Sequence, residues 1–480
     1  HGYGLVMGPV NEVTSEGLPL LWARDIPPKH DPEFPIVRPE IYFGERANEY
    51  IIVNTKSKEL DYPAGDQNVY THYQGAGGVP LSGFLRKVAF VFRFGTLKIL
   101  LSRDITPESR LLFRREITER LRAIAPFFLY DNDPYPVLAD GRIFWIVDGY
   151  TWSDRFPYAQ PIRGRLNYIR NSVKAVVDAY NGTVSFYLAD AEDPVVQCYN
   201  RVFPGLLKPL AEMPASLKSH LRYPQDLFEV QSAVYARYHM TNPQVFYNQE
   251  DLWTTPDELV EGNETPMEPY YTIMRLPGEA KAEYVLLLPF TPRQKSNLIA
   301  WMAARSDDPH YGQILVYRFP KEKLIYGPMQ IAARIDQDAQ ISQQFTLWGQ
   351  RGVQVLRGNL LVIPVKNSLL YIQPVYLQAE RGKIPELRRV IVAYEERIAM
   401  RETLNEALQD IFSGWTPAPA SPTTAGPRAP PAADLSGIGK DAWTIFQRGQ
   451  ERLQKGDWTG YGRAMEELAD VLRRLKDSSR

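Results

Sequence analysis

The stretch "DNDPYPVLADGRIFWIVDGYTW", residues 131–152, sets four aspartates among turn formers and aromatic residues. Asp131, Asp133 and Asp140 offer hard oxygens from one short segment, the ligand type that Ca²⁺ gathers in sets of about six to eight. As an EF-hand loop the segment fails, because its sixth position is Pro136 where glycine is needed and its twelfth is Arg142 in place of a bidentate glutamate. The competing reading is architectural. Asp131 to Pro136 then forms a proline-shaped loop, Asp140-Gly141 turns a hairpin joining "YPVLA" to "RIFWIVDGY", and Asp148 binds backbone or an arginine. Asp131, Asp133 and Asp148 stay as candidate ligands for Ca²⁺ or another divalent metal, while the expected resting state carries no cofactor.

Six histidines are scattered at His1, His30, His72, His220, His239 and His310, and none has the spacing that grips a metal from one strand or helix. His72 and His239 are the candidates for a base working with the aspartates; isolated histidines are otherwise hydrogen-bonded structural groups. The glycine-rich "GAGGVPLSG", residues 75–83, could cradle an anion, but no Gly-Lys-Ser/Thr follows, and loop flexibility is the better reading. No G-x-S-x-G elbow occurs. Cys198 sits on an apolar, helix-like run where a small buried thiol is expected. The aromatics of "YTWSDRFPY" could line a carbohydrate or peptide groove, or fill a core.

The elements that must position these groups are short and proline-punctuated. "SVKAVVDAYNGTVSFYLAD" alternates Val173, Ala175, Val177 and Ala179, turns at Asn181-Gly182 in the manner of a type I′ loop, and resumes at Val184, Phe186 and Leu188. Further strands are expected in "RIFWIVDGY", "AEYVLLLPF", "ILVYRF", "NLLVIPV", "SLLYIQPVYL" and "RRVIVAY". "TPESRLLFRREITERLRAIAP" predicts a helix capped by Thr106 with Pro107 in its first turn, ending before Pro126. "QDLFEVQSAVYARYHM" and "ETLNEALQDIFSG" predict two more. Strands and helices interleave without a regular βαβ beat, so the expected class is α+β, a mixed fold in a large aromatic-rich body.

At 480 residues the chain is long enough for more than one unit. The body is expected over 1–414, with two subdomains whose boundary falls near 190–270. A Pro/Ala-rich linker follows at 415–437, then a C-terminal αα-hairpin at 438–480 that needs a docking surface. Basic and acidic residues number 55 and 56, so no nucleic acid is expected as partner. The arginines at 114, 115, 120 and 122 alternate with glutamates and suit a solvated helix face. The single cysteine rules out an internal disulfide. The most apolar window, "KVAFVFRFGTLKILLS", is broken by Lys87, Arg93 and Lys98 and falls short of a membrane span. A chain starting at His1 reads as a piece of a longer protein.

"APFFLYDNDPYPVLADGRIFWIVDGYTWSDRFPYAQPI" with "LNYIRNSVKAVVDAYNGTV" resembles the extracytoplasmic domain of an uncharacterised, UPF-type family of multi-pass bacterial membrane proteins. "HGYGLVMGPVNEV", "ELDYPAGDQNVYTHYQGAGGV", "GPMQIAARIDQDAQISQQFTLW" and "GDWTGYG" extend the resemblance, in order, over nearly the whole chain. It implies membrane helices before His1 and a place in the cell envelope, on the outer side of the cell membrane, and it supplies no catalytic residues. The leading expectation is a non-enzymatic binding or assembly module, partnered by its own membrane-spanning region, forming a homo-oligomer and meeting an envelope component or small ligand. Two alternatives stay open: a metal-dependent envelope hydrolase or transferase built on Asp131, Asp133 and Asp148, and a domain that receives substrate for, or gates, a transporter-like membrane portion.

Overall fold

The apolar runs between residues 129 and 209 form one six-stranded sheet in the computed structural model, which describes residues 1–413 except 11, 48, 163, 165, 261, 321, 350–352, 366–367 and 380–383. The linker at 415–437 and the helical hairpin at 438–480 lie outside the described residues. The order of this first sheet is Leu129–Tyr130, Arg142–Ser153, Tyr168–Asp178, Val184–Leu188 and Leu207–Pro209, with Tyr135–Ala139 also paired to Arg142–Ser153. All pairs are antiparallel except the last, where helix Pro194–Val202 carries the chain across to a parallel strand.

Asp140 and Gly141 both take positive φ, and Ala139 faces Arg142, so the Asp-Gly hairpin forms as its sequence requires. The second hairpin forms too, but not through a two-residue turn. Of Asn181 and Gly182 only Gly182 has positive φ, and the loop is wider: the Asp178 amide donates to the Thr183 carbonyl at 3.0 Å. The Asp178 carboxylate holds that loop by accepting the amides of Tyr180 and Asn181 at 2.9 and 3.0 Å. A Cβ at Gly182 would stand 2.5 Å from the Phe43 ring, so the glycine is needed for space as well as for backbone conformation.

A second sheet takes the order Trp253–Thr254, Glu283–Pro292, Ala300–Arg305 and Ile314–Arg318, with Tyr270–Met274 on the other edge of Glu283–Pro292. A third is ordered Val353–Arg357, Ser368–Ala379, Glu386–Tyr394 and Arg397–Arg401, with Leu361–Val365 paired to Ser368–Ala379. Helices Pro328–Gln337 and Ala339–Gly349 contribute Ile331, Ile335 and Ile341 to the core over the third sheet, and Leu404–Phe412 packs Ala407 and Ile411 against its other face. The class is α+β, as the irregular interleaving implies. Helix Gln225–Tyr238 ties the first two sheets together, since Leu227, Phe228 and Ala236 share one core with Tyr150 of the first and Leu286, Leu288 and Phe290 of the second.

The helix expected from Thr106 onward is a correction. Residues Arg110–Leu112 are a strand between Ile51–Val53 and Val79–Pro80, and the helix occupies only Ile117–Ile124, capped by Glu116. The reason lies in two consecutive buried leucines. Leu111 enters the core with Leu81 and Ile99, while Leu112 enters the core of the first sheet, and only the period of a strand sends neighbours to opposite sides. Of the arginines that follow, Arg122 is exposed as a solvated face requires, but Arg115 and Arg120 turn inward. Arg115 is buried and donates to the Tyr42 carbonyl at 2.7 Å, and Arg120 donates to the Gly182 carbonyl at 2.7 Å while lying over the Phe43 ring. Cys198 is on a helix as expected, but it is exposed rather than buried.

Candidate functional site

Asp148 and Lys174 face each other in register across the Arg142–Ser153 and Tyr168–Asp178 strands, 3% and 1% exposed, as an ion pair. Both groups have further partners. Asn171 Nδ2 donates to Asp148 Oδ1 at 3.0 Å, Lys174 Nζ donates to the Tyr311 hydroxyl at 2.6 Å, and that hydroxyl donates to the Arg222 carbonyl at 3.1 Å. Tyr311 belongs to the loop between Ala300–Arg305 and Ile314–Arg318, so the pair on the first sheet is bonded directly to the second. Burial holds the Tyr311 hydroxyl well above the ordinary tyrosine range, with the charge of Asp148 acting in the same direction.

Asp131 borders this pair. It is 4% exposed, and its Oδ2 accepts from the Tyr150 hydroxyl and from the Asp226 amide at 3.3 Å, while Oδ1 accepts from the Asp133 amide at 3.0 Å. Burial pushes its carboxyl up to about 6, against the pull of the bonds from Tyr150 and Asp133, with Asp148 and Asp226 adding repulsion. Asp133 stands at the rim, half exposed, and pairs with Arg222 Nη2 at 2.5 Å. The Arg222 guanidinium in turn lies over the rings of Tyr135 and Tyr271 at 4.1 and 4.7 Å.

The three aspartates singled out by sequence thus lie in one neighbourhood, each with its own internal partner: Tyr150 for Asp131, Lys174 for Asp148, Arg222 for Asp133. Among the described residues no group of three or more His, Cys, Asp or Glu is placed to hold a metal ion. Asp148 pairs with lysine rather than with the arginine or backbone expected of it. The candidate bases are elsewhere in the bonding scheme: neither His72 nor His239 hydrogen-bonds or ion-pairs with Asp131, Asp133 or Asp148. His72 is exposed. His239 is buried, donates through Nδ1 to the Tyr235 carbonyl at 3.1 Å, stacks on Trp253 at 3.8 Å, and has Nε2 3.7 Å from Asp251.

Two further arrangements carry no signal in residue spacing. Asp193 is fully buried and accepts from Thr151, Ser172 and Tyr168 at 2.5, 2.6 and 2.5 Å while capping helix Pro194–Val202 through the amides of Val195 and Val196. Burial alone would raise its carboxyl, but the hydroxyl and amide donors outweigh it and hold the group below the usual carboxylate range. The glycine loop is likewise committed: the Ala76 amide donates to Asn181 Oδ1, the Gly77 amide to the Tyr73 hydroxyl, and Arg110 binds the carbonyls of Ala76, Gly77 and Gly78. Its amides serve the fold.

An open cleft of about 770 Å³ runs between helix Gln225–Tyr238, the segment Tyr158–Ile169 and the edge of the second sheet. Its walls are mainly apolar, including Ile162, Leu166, Val230, Val234 and Phe290, and Tyr158 of the "YTWSDRFPY" run stands fully exposed beside it. Trp253 also lines it, 3% exposed, with Nε1 buried and without a hydrogen-bond acceptor among the described residues. Arg318 covers the indole at 5.2 Å. At the rim Arg237 Nη1 donates to Gln160 Oε1 at 2.8 Å. A mostly apolar concavity with a few polar groups is the ordinary form of a ligand site.

These features describe an α+β body of three main sheets in which Asp131, Asp133, Asp148 and Asp193 are partnered internally. The chain belongs to the uncharacterised protein family UPF0182, whose family profile matches residues 1–348. It is 50% identical over 479 residues to a UPF0182 protein of Pelotomaculum thermopropionicum, covering 99% of this chain and 52% of that protein. It is 52% identical to relatives in Desulforamulus reducens and Geobacter sulfurreducens, with 100% and 99% of this chain and 53% of each relative covered. The chain therefore spans about half the length of the curated relatives it matches. No solved structure matches it.

Removing one member of the buried pair leaves the other charged and alone. Lys174→Met is expected to lower stability by about 3–5 kcal/mol in urea unfolding, and Lys174→Met with Asp148→Leu to recover most of that loss. Asp131 carries a pH signature of definite sign. Its folded value of about 6 lies above the ordinary 3.8, so the folded state holds the extra proton between them. Its contribution is fully present below about pH 4 and is lost as the pH rises through about 6, a change of about 3 kcal/mol. Asp131→Asn is expected to remove that slope from the stability–pH profile.

Proposed function

We propose that this chain is the extracytoplasmic binding or assembly module of a bacterial multi-pass membrane protein, acting on a bound molecule or partner without a reaction of its own. The observation that carries the proposal is the mainly apolar cleft beside helix Gln225–Tyr238. The chemistry that fits its mainly apolar walls is an apolar or aromatic molecule. The internal pairing of Asp131, Asp133 and Asp148 supports the same choice, since carboxylates committed to Tyr150, Arg222 and Lys174 are poorly disposed to act on a substrate.

Among the described residues no helix is long and apolar enough to cross a membrane. The membrane-spanning segments belong, in this proposal, to the part of the relatives' length that the chain does not cover, and that region is the module's nearest partner. Tethering at a membrane raises local concentration, which favours a homo-oligomer. Neither nucleic acid nor a resident metal enters the scheme.

Native mass spectrometry of the 480-residue chain reads subunit count and retained small-molecule mass together. The expected result is a homo-oligomer with a retained organic mass whose occupancy falls on the order of tenfold in Ala233→Trp, which places an indole in the cleft. A monomer with nothing retained, or a retained mass indifferent to Ala233→Trp, would contradict the proposal.

A further inference from the structure

Helix Phe84–Phe94 is apolar on two faces, and only one of them packs against other described residues. Phe90, Val91 and Phe94 pack on Leu81, Ile99 and Leu111, with Phe94 stacked on Tyr50 at 4.3 Å. At about 100° per residue, Leu85, Val88, Ala89 and Phe92 fall on the other side, with Phe84 at its edge next to Val91. There Leu85 is 81% and Phe92 85% exposed, and none of the helix's residues is fully buried. Helix Lys98–Leu101 packs beside it and adds Leu97 and Leu101, also exposed. A soluble surface scatters its large apolar side chains; a contiguous group of this size marks a contact.

Charge decides what the contact is made with. The whole chain has 55 basic and 56 acidic residues, yet between Asp66 and Asp104 there is no acidic residue at all, while Arg86, Lys87, Arg93, Lys98 and Arg103 all fall there. On the helix, Arg86 and Arg93 are exposed and border the apolar arc. A protein interface is depleted of charge at its core and in lysine generally, and it draws on both signs at its rim. Phenylalanine and leucine flanked only by cations are instead the pattern of a helix lying in the plane of an anionic lipid surface, its apolar side chains among the acyl chains and its cations at the headgroups. An 11-residue helix is about 16 Å long and cannot cross a bilayer, so it lies along one.

We infer that helix Phe84–Phe94 with the adjoining Leu97–Leu101 turn is a peripheral membrane-binding element that inserts Phe84, Leu85, Phe92, Leu97 and Leu101 into an anionic lipid surface. The element is separate from the cleft and from the Asp148–Lys174 cluster, so the inference stands whether or not the cleft binds a ligand.

Flotation of the 480-residue chain with vesicles of phosphatidylcholine alone, or of phosphatidylcholine and phosphatidylglycerol in equal parts, tests it. The chain is expected to float with the phosphatidylglycerol vesicles and to partition much more weakly onto phosphatidylcholine. Leu85→Ser with Phe92→Ser lowers that partitioning on the order of a hundredfold. Arg86→Gln with Arg93→Gln lowers it about tenfold and reduces its salt dependence. All four side chains are exposed, so the unfolding midpoint of both variants is expected to match the parent. Failure of the parent to float with either vesicle would overturn the inference. So would self-association of the parent that the Leu85→Ser, Phe92→Ser variant abolishes while neither protein binds vesicles, because the face would then be covered by a second copy.

Discussion

A lysine and an aspartate facing each other inside a sheet are tolerable only as a pair, and the architecture around Asp148 and Lys174 follows from keeping them one. Their strands must stay in register, since a one-residue slip of either strand would send its charge to the opposite face and leave the other alone. Tyr311 must reach across from the second sheet to complete the ammonium's bonds, which fixes where that sheet sits against the first. Tyr150, Tyr223 and Phe228 then fill the space behind the contact, and Tyr271 binds the Tyr223 carbonyl at 2.6 Å. A buried pair of this kind is weak evidence for stability, and it disfavours packings that would strand one charge.

Much of this architecture is legible in the chain's own pattern. The Asp-Gly hairpin, the strand runs from "RIFWIVDGY" to "RRVIVAY", and the two helices at Gln225–Tyr238 and Leu404–Phe412 all follow from period and turn chemistry. The departures have physical causes. "RLL" in the expected helix after Thr106 is a strand because Leu111 and Leu112 serve different cores, a tertiary demand that local propensity does not contain. Asn181 keeps an ordinary φ because Asp178, a few residues away, offers its carboxylate to the loop.

The candidate site is legible by half. Its aspartates stand out by residue type, whereas their partners emerge only when strands are compared with one another. Lys174 in "SVKAVV" and Asp148 in "WIVDGY" are opposite charges, each in the middle of an apolar strand, and adjacent strands with that pattern announce a cross-strand pair. Arg222, Tyr271 and Tyr311 come from elements far along the chain, and no local pattern connects them to Asp131 or Asp148. Asp193 is hidden by its ordinary setting in "AEDPVV", where its capping role is readable and its three hydroxyl donors are not.

With Asp131, Asp133 and Asp148 committed to internal partners, two apolar surfaces stand open to outside contacts: the cleft lined by Trp253 and the outer face of helix Phe84–Phe94. That division between an internally neutralised core and apolar contact surfaces holds only if Asp131, Asp133 and Asp148 bind no ion. Metal content by inductively coupled plasma mass spectrometry, after dialysis of the chain against calcium, magnesium and zinc in turn, tests this directly. The account predicts no stoichiometric metal and an unfolding midpoint that none of the three ions moves. One ion per chain, lost in Asp131→Ala, would contradict it and return the cluster to metal chemistry.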